Sequence, residues 1–110
     1  MDLMNELNYK IQELDKNIKL LRVSGTKYAE AERDYKILLR QECLKLKHEG
    51  MAIGMIDKTC YGIPEVAEKR FQRDVAEVMY KANLENINSI KLQMRLLENQ
   101  IQREYGNCQN

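Results

Sequence analysis

The sequence of 110 residues has the length of one domain, and its 44% hydrophobic against 32% charged residues are typical of a folded chain rather than a disordered one. Eighteen basic and seventeen acidic side chains leave a formal net charge of +1. This balance excludes the strong single-sign field that drives non-specific binding to nucleic acids or membranes. We therefore expect residues 1–110 to form a single domain.

The first predicted helix covers residues 2–23. Its apolar residues recur at alternating intervals of three and four, which is the heptad spacing of a coiled-coil stripe. This N-terminal seam consists of Met4, Leu7, Ile11, Leu14, Ile18 and Leu21. An exposed seam of this kind favours association with a second copy of the chain, so the sequence predicts a homo-oligomer that pairs through these residues.

Two arrangements are compatible with the next segment. Residues 23–26, Val-Ser-Gly-Thr, are poor helix formers, so a turn at Ser24-Gly25 would give a three-helix bundle whose second helix covers residues 27–48. However, Tyr28 and Tyr35 keep the heptad register of the first helix, which favours one long kinked helix. The predicted fold class is all-α in either case, and a long antiparallel helical hairpin is the favoured form.

Residues 49–63 are predicted to form the bend of the hairpin, because three of the five glycines lie there and Pro64 follows. The bend also holds large apolar side chains: Met51, Ile53, Met55, Ile56, Tyr61 and Ile63. Either they fold back over the end of the helix pair, or they form an adaptable apolar surface that binds another protein. The second alternative predicts that Met55→Asp or Ile56→Asp abolishes partner binding and leaves the thermal melt nearly unchanged.

The last predicted helix covers residues 64–105. Pro64 suits a first helical position, and Gly106 is expected to end the helix, with a frayed tail over 106–110. The predicted packing stripe runs through Phe71, Val75, Val78 and Ala82 and continues, after a phase shift near Leu84, through Ile87, Ile90, Met94, Leu97 and Ile101. This helix is about as long as residues 2–48 together, which is why the hairpin is favoured.

The residues that could carry chemistry are few and poorly spaced. His48 is the only histidine, and Cys43 lies five positions before it, which is an unfavourable spacing for a dyad on one helix face. Cys43, Cys60 and Cys108 lack the short spacings of structural zinc sites, and no glycine-rich phosphate loop is present. The sequence thus predicts no catalytic, cofactor-binding or metal-binding residues and no enzymatic activity.

Several features indicate where the protein resides. The sequence has no apolar run near the roughly 20 residues that span a bilayer, and its first residues lack the pattern of a signal peptide. An odd number of cysteines without a paired spacing suits a reducing compartment. We expect a cytoplasmic protein without membrane contact.

Basic side chains form the basis of an alternative function. They cluster on one face of the segment 27–48 and near the start of the last helix: Arg33, Lys36, Arg40, Lys69, Arg70 and Arg73. Such faces are typical of proteins that contact phosphate backbones, although acidic residues interleave with both clusters. Nucleic-acid binding is therefore the alternative prediction.

Two segments resemble a known group of proteins. Residues 54–77 (GMIDKTCYGIPEVAEKRFQRDVAE) and 89–106 (SIKLQMRLLENQIQREYG) are similar to small uncharacterised helical proteins of phages and prophages of Gram-positive bacteria. The resemblance implies an intracellular, mobile-element setting and offers no catalytic residues to carry over. From the long apolar seam and the lack of a catalytic constellation, we expect a non-enzymatic coiled-coil protein that binds a protein partner, such as a replication, recombination or defence factor of the host or phage.

Overall fold

The computed structural model describes residues 2–109, of which residues 107–109 are described by their backbone alone. It contains three helices and, within this range, no strand: α1 (Leu3–His48), α2 (Ile53–Tyr61) and α3 (Pro64–Gln109). Segments of α1 and α3 pack antiparallel, so the predicted all-α helical hairpin is confirmed. Between residues 2 and 109, no helix combines the length and hydropathy that a bilayer crossing requires.

Helix α1 is continuous through Ser24 and Gly25, so the three-helix alternative is wrong. Packing explains why the weak helix formers do not interrupt the helix. Tyr80 of α3 lies against Gly25, where an added Cβ would be 3.4 Å from the Tyr80 ring, and Tyr28 stacks on the same ring with centroids 5.8 Å apart. The helix penalty of one glycine is only about 1 kcal/mol, which contacts of this kind outweigh.

Replacing Gly25 with alanine should stabilise the protein by about 0.5–1 kcal/mol, because alanine favours the helix and its Cβ would make an ordinary van der Waals contact with Tyr80. Gly50→Ala is the matched control. Gly50 has a φ of +87°, so a Cβ there should destabilise by about 1 kcal/mol or more even though nothing lies within 4 Å. Urea unfolding followed by circular dichroism measures both changes. A destabilised Gly25→Ala variant would contradict the continuous α1.

The chain divides into two compact units, and each is described by itself. Unit 1 is drawn from residues up to Val23 and from Lys81 onward, and unit 2 is Ser24–Tyr80. The prediction that the whole chain behaves as one domain stays a prediction. Helix α1 begins within unit 1, where the carboxylate of Asp2 accepts the backbone N–H of Asn5 at 2.8 Å, as an N-terminal cap does.

Unit 1 has polar contacts between its two helical segments. The side-chain amide of the buried Asn17 donates to the Glu13 carbonyl at 2.8 Å, and that of Asn86 donates to Oδ1 of Asn17 at 2.6 Å. Asn83 donates in turn to the Leu20 carbonyl at 3.3 Å. The buried Asn17 is satisfied only in a register that brings Asn86 within reach, so these bonds fix how α3 lies along α1 in this unit.

Unit 2 is built around Tyr35, Cys60 and Val66, which are buried. Half-buried apolar side chains pack around them: Leu38, Leu39, Cys43, Leu46 and Ile63. The prediction of a bend over 49–63 is wrong for its central part, because residues 53–61 form α2. Packing of Cys60 into this core stabilises a helix too short to form alone.

The two connections of α2 are tight. After α1, the N–H of Gly50 donates to the Lys47 carbonyl and that of Met51 to the Leu46 carbonyl, each at 3.1 Å. With the positive φ of Gly50, this is the Schellman motif that ends many helices. After α2, the N–H of Gly62 donates to the Thr59 carbonyl at 3.2 Å, and Pro64 begins α3 as predicted.

The packed face of α3 differs from the predicted stripe. Phe71, Val75 and Val78 are exposed, whereas Val66 is buried and Arg73 and Tyr80 are half-buried. These last three lie seven residues apart, and Ile87 follows Tyr80 by seven, so the register needs no phase shift. Sequence hydropathy is misleading here because Arg73 packs through its side chain, with Cζ 4.5 Å from the centroid of the Tyr35 ring.

The end of α3 also differs from the prediction. The helix continues to Gln109, so its predicted end at Tyr105 is wrong, and fraying of the last residues stays a prediction. Glycine lowers helix propensity without breaking a helix, which is why Gly106 does not end it. Residue 110 lies outside the described range.

Candidate functional site: exposed apolar surfaces of unit 2

Helix α2 has both buried and exposed apolar side chains. Ile56 is 8% exposed and Cys60 is fully buried, and the two lie one turn apart on the face that meets the core. Ile53, Met55 and Tyr61 are 80%, 55% and 50% exposed, and we call these three residues the α2 surface. A nine-residue helix therefore leaves more large apolar side chains exposed than it buries.

The six partner-binding residues predicted from the sequence have different locations. Ile56 belongs to the packed interior, so its proposed role at an open surface is wrong. Met51 and Ile63 are half-buried. The segment is therefore packed in part and exposed in part, because a helix of period 3.6 turns neighbouring residues toward opposite environments. That its exposed part binds another protein stays a prediction.

Tyr61 is held in place from α3. The guanidinium carbon of Arg70 lies 3.8 Å from the centroid of the Tyr61 ring, and an Arg70 N–H donates to the Tyr61 carbonyl at 3.1 Å. A guanidinium over an aromatic face is an attractive pair that restricts the ring. One member of the α2 surface is thus fixed in orientation before any partner binds.

A second exposed apolar surface lies on α3. We call it the outer stripe, and it consists of Phe71, Val75, Val78 and Met79, which are 45–64% exposed. Together with Asp74 they line a shallow depression of about 240 Å³. Phe71, Val75 and Val78 are spaced by four and then three residues, which is the spacing of an apolar stripe that packs against a second helix.

The N-terminal seam is occupied within unit 1. Leu7, Leu14, Ile18 and Leu21 are half-buried, while Met4 and Ile11 are each 46% exposed. The hydrogen bonds from Asn86 to Asn17 and from Asn83 to the Leu20 carbonyl place α3 against this part of α1. Self-association through the seam stays a prediction, and it would have to replace these contacts.

Acidic neighbours or aromatic rings engage most of the predicted basic residues. Arg33 pairs with Asp34 at 3.1 Å, Lys36 with Glu32 at 3.3 Å, and Arg73 with Asp74 at 2.8 Å. Arg70 stacks on Tyr61 as described above, and Arg40 and Lys69 complete the set. Because adjacent carboxylates offset three of the cations, the helix faces present less positive potential than the sequence pattern suggests.

The thiols of unit 2 are placed for packing. Cys60 Sγ donates to the Leu39 carbonyl at 3.4 Å, and burial, reinforced by the neighbouring Cys43, raises the pKa of the Cys60 thiol to about 11. A thiol with such a pKa is protonated at neutral pH and is a poor nucleophile. His48 is exposed at the end of α1. Cys108 lies outside the described side chains, and among those that are described, no three metal-ligating side chains come together.

Sequence reasoning missed the residues that set the pairing register. Asn17 directly precedes Ile18, so it lies beside the predicted seam and not on it. Arg73 gives no signal either, because charged residues most often lie on a solvated face.

Comparison with protein-family models, curated proteins and solved structures found no match.

Proposed function

We propose that this protein is a non-enzymatic coiled-coil protein that acts by binding another protein through the α2 surface. The observation that carries the proposal is the exposure of Ile53, Met55 and Tyr61 on a helix whose packing needs only Ile56 and Cys60. Removing a large apolar side chain from water contributes about 1.5–3 kcal/mol, so three of them supply a substantial part of a binding free energy.

The composition of the α2 surface indicates the kind of partner. Methionine has an unbranched, adaptable side chain, and tyrosine combines a flat apolar ring with a polar tip, as at many protein interfaces. Asp57, Lys58 and Thr59 are exposed on the same helix and provide a polar rim. A partner with an apolar groove that receives a short helix fits this arrangement.

Ile53→Asp tests the α2 surface. Aspartate is favoured in the first turn of a helix, so this change removes an exposed apolar side chain without weakening α2. We expect it to reduce recovery of the partner from a lysate of the encoding organism by tenfold or more, as measured by quantitative mass spectrometry after affinity capture. Thr59→Asp, which adds the same charge at another exposed position of α2, should leave recovery unchanged. Equal recovery by Ile53→Asp and the wild type would contradict the proposal.

Self-association is the second part of the proposal, and the outer stripe is the surface that supports it. A second copy brings an identical stripe, so two stripes meeting about a twofold axis would pack apolar residues against apolar residues. The stripe is small beside the roughly 800 Å² per partner of a standard interface, so the dimer should be weak.

Sedimentation equilibrium over a range of protein concentrations tests the outer stripe. We expect dimerisation at tens to hundreds of micromolar and its loss in Val78→Asp, because a carboxylate would be buried at the centre of the stripe. Gln72→Asp, an exposed neighbour outside the stripe, should dimerise like the wild type. A monomer throughout, or a dimer that survives Val78→Asp, would refute self-association through this surface.

The biological setting of the proposal comes from the sequence resemblance alone. It is that of a phage or mobile-element accessory protein, or an inhibitor, that acts on a replication, recombination or defence factor in the cytoplasm. The α2 surface is compatible with such a role, because an inhibitor needs only a contact surface and no reaction of its own.

A further inference from the structure

Two cysteines from different helices lie side by side in unit 2. Cys60 of α2 points its thiol at the Leu39 carbonyl of α1, with Sγ 3.4 Å from the oxygen. In an α-helix the carbonyl of residue 39 accepts the backbone N–H of residue 43, so a group that reaches this carbonyl lies beside Cys43. Cys43 also packs against the core cluster that contains Cys60. The fold thus brings together two thiols that are 17 residues apart.

We propose that Cys43 and Cys60 form a disulfide when the protein meets a peroxide, which covalently joins α2 to α1. Both thiols are free in this structure, and they are the two cysteines whose side chains are described. Their different burial makes the order of events specific.

Cys43 is the thiol that reacts first, because it is half-buried whereas Cys60 is fully buried. Its thiolate attacks one oxygen of hydrogen peroxide, which gives a sulfenic acid on Cys43 and releases hydroxide. The sulfur of Cys60 then attacks the Cys43 sulfur, and the sulfenic oxygen leaves as water with the proton of the Cys60 thiol. The two thiols lose two electrons to the peroxide, and the hydroxide takes up the proton that Cys43 lost, so the balance is one disulfide and two waters.

The raised pKa of Cys60 supports this division of roles. A thiol with a pKa of about 11 is almost entirely protonated at neutral pH, so it does not react with peroxide in bulk solution. It reacts with a sulfenic acid that forms next to it, because proximity replaces intrinsic nucleophilicity. The disulfide would enclose the end of α1, the turn at Gly50 and α2, and would keep α2 docked.

Peptide mapping tests the pair directly. A Cys108→Ser background removes the remaining thiol, and trypsin releases Cys43 in the peptide QECLK (41–45) and Cys60 in TCYGIPEVAEK (59–69). After treatment of the folded protein with hydrogen peroxide, we expect most of the Cys43 peptide to be linked to the Cys60 peptide, with the loss of two hydrogen atoms. Dithiothreitol should restore both free peptides.

A Cys43→Ser variant and the identity of the oxidation products provide the control and the contrary outcomes. Cys43→Ser, a small change at a half-buried position, should fold normally and leave Cys60 unmodified by the same treatment, because the thiol that peroxide reaches first is missing. If Cys43 is instead oxidised to sulfinic acid, or links to Cys43 of a second chain while Cys60 stays free, the two thiols do not meet and the proposal fails. The test needs no binding partner, so its result is independent of the function proposed for the α2 surface.

Discussion

Ile56→Asp is expected to destabilise the protein by about 3 kcal/mol or more, whereas Met55→Asp, one residue earlier, should change stability by less than about 0.5 kcal/mol. Ile56 is buried beside the core of unit 2, so the substitution removes its apolar contacts and places a carboxylate where water is excluded. Met55 is more than half exposed, so an aspartate there remains hydrated. Urea unfolding of both variants, followed by circular dichroism at 222 nm, measures the difference.

The pair of variants separates packing from binding. If Ile56→Asp unfolds at the same urea concentration as the wild type, Ile56 is not buried and α2 does not pack as described. If Met55→Asp is as destabilising as Ile56→Asp, the exposed side of α2 is part of the core, and the α2 surface is unsuitable as a docking site. The sequence alone predicts the same result for both substitutions, because it treats the two neighbours as one apolar segment.

The hairpin could be predicted from the sequence because its signals are local and repeated. Heptad spacing over the first 21 residues indicates a helix with one packed face, and Pro64 marks the start of α3. The heptad register of Tyr28 and Tyr35 favours a continuous α1, but local propensity leaves a break at Ser24-Gly25 open. The packing of Tyr80 against Gly25 could not be predicted, because the two residues are far apart in the sequence.

The candidate site was less predictable than the fold. The sequence identifies the apolar segment around Met55, but the segment was assigned to a bend, and a bend gives no rule for which side chains are buried. Once α2 is helical, the four-residue spacing of Ile56 and Cys60 defines the inner face. Ile53, the first residue of α2, shares this helical spacing and is nevertheless 80% exposed. The missing information was the docking of Cys60 on α1, which is a tertiary contact.

The two faces of α3 show the same limit more strongly. Phe71, Val75 and Val78 form the more apolar stripe, yet the face that packs in unit 2 holds Val66, Arg73 and Tyr80. Hydropathy compares the two faces only by the free energy of transferring their side chains from water. Which face packs also depends on how well its side chains fit against α1. The stacking of Arg73 on Tyr35 makes a charged residue acceptable at an inner position.

Tyr35→Ala is expected to cost about 3–5 kcal/mol of folding free energy, which is typical of large aromatic side chains removed from a core. Tyr35 is 5% exposed, belongs to the cluster with Cys60 and Val66, and lies beneath the Arg73 guanidinium. Phe71→Ala is the matched control, because it also truncates an aromatic residue but at a position that is 63% exposed. We expect it to cost less than about 1 kcal/mol and to weaken self-association instead.

Measured together by urea unfolding and sedimentation equilibrium, these two substitutions determine which face of α3 is internal. We expect a large loss of stability in Tyr35→Ala and weaker dimerisation in Phe71→Ala. Tyr35 packs against the inner face of α3, whereas Phe71 lies on its outer face. If Phe71→Ala is the costly change and Tyr35→Ala is tolerated, α3 packs through the stripe that hydropathy favours. The outer stripe would then be core, and the proposed dimer surface would lose its basis.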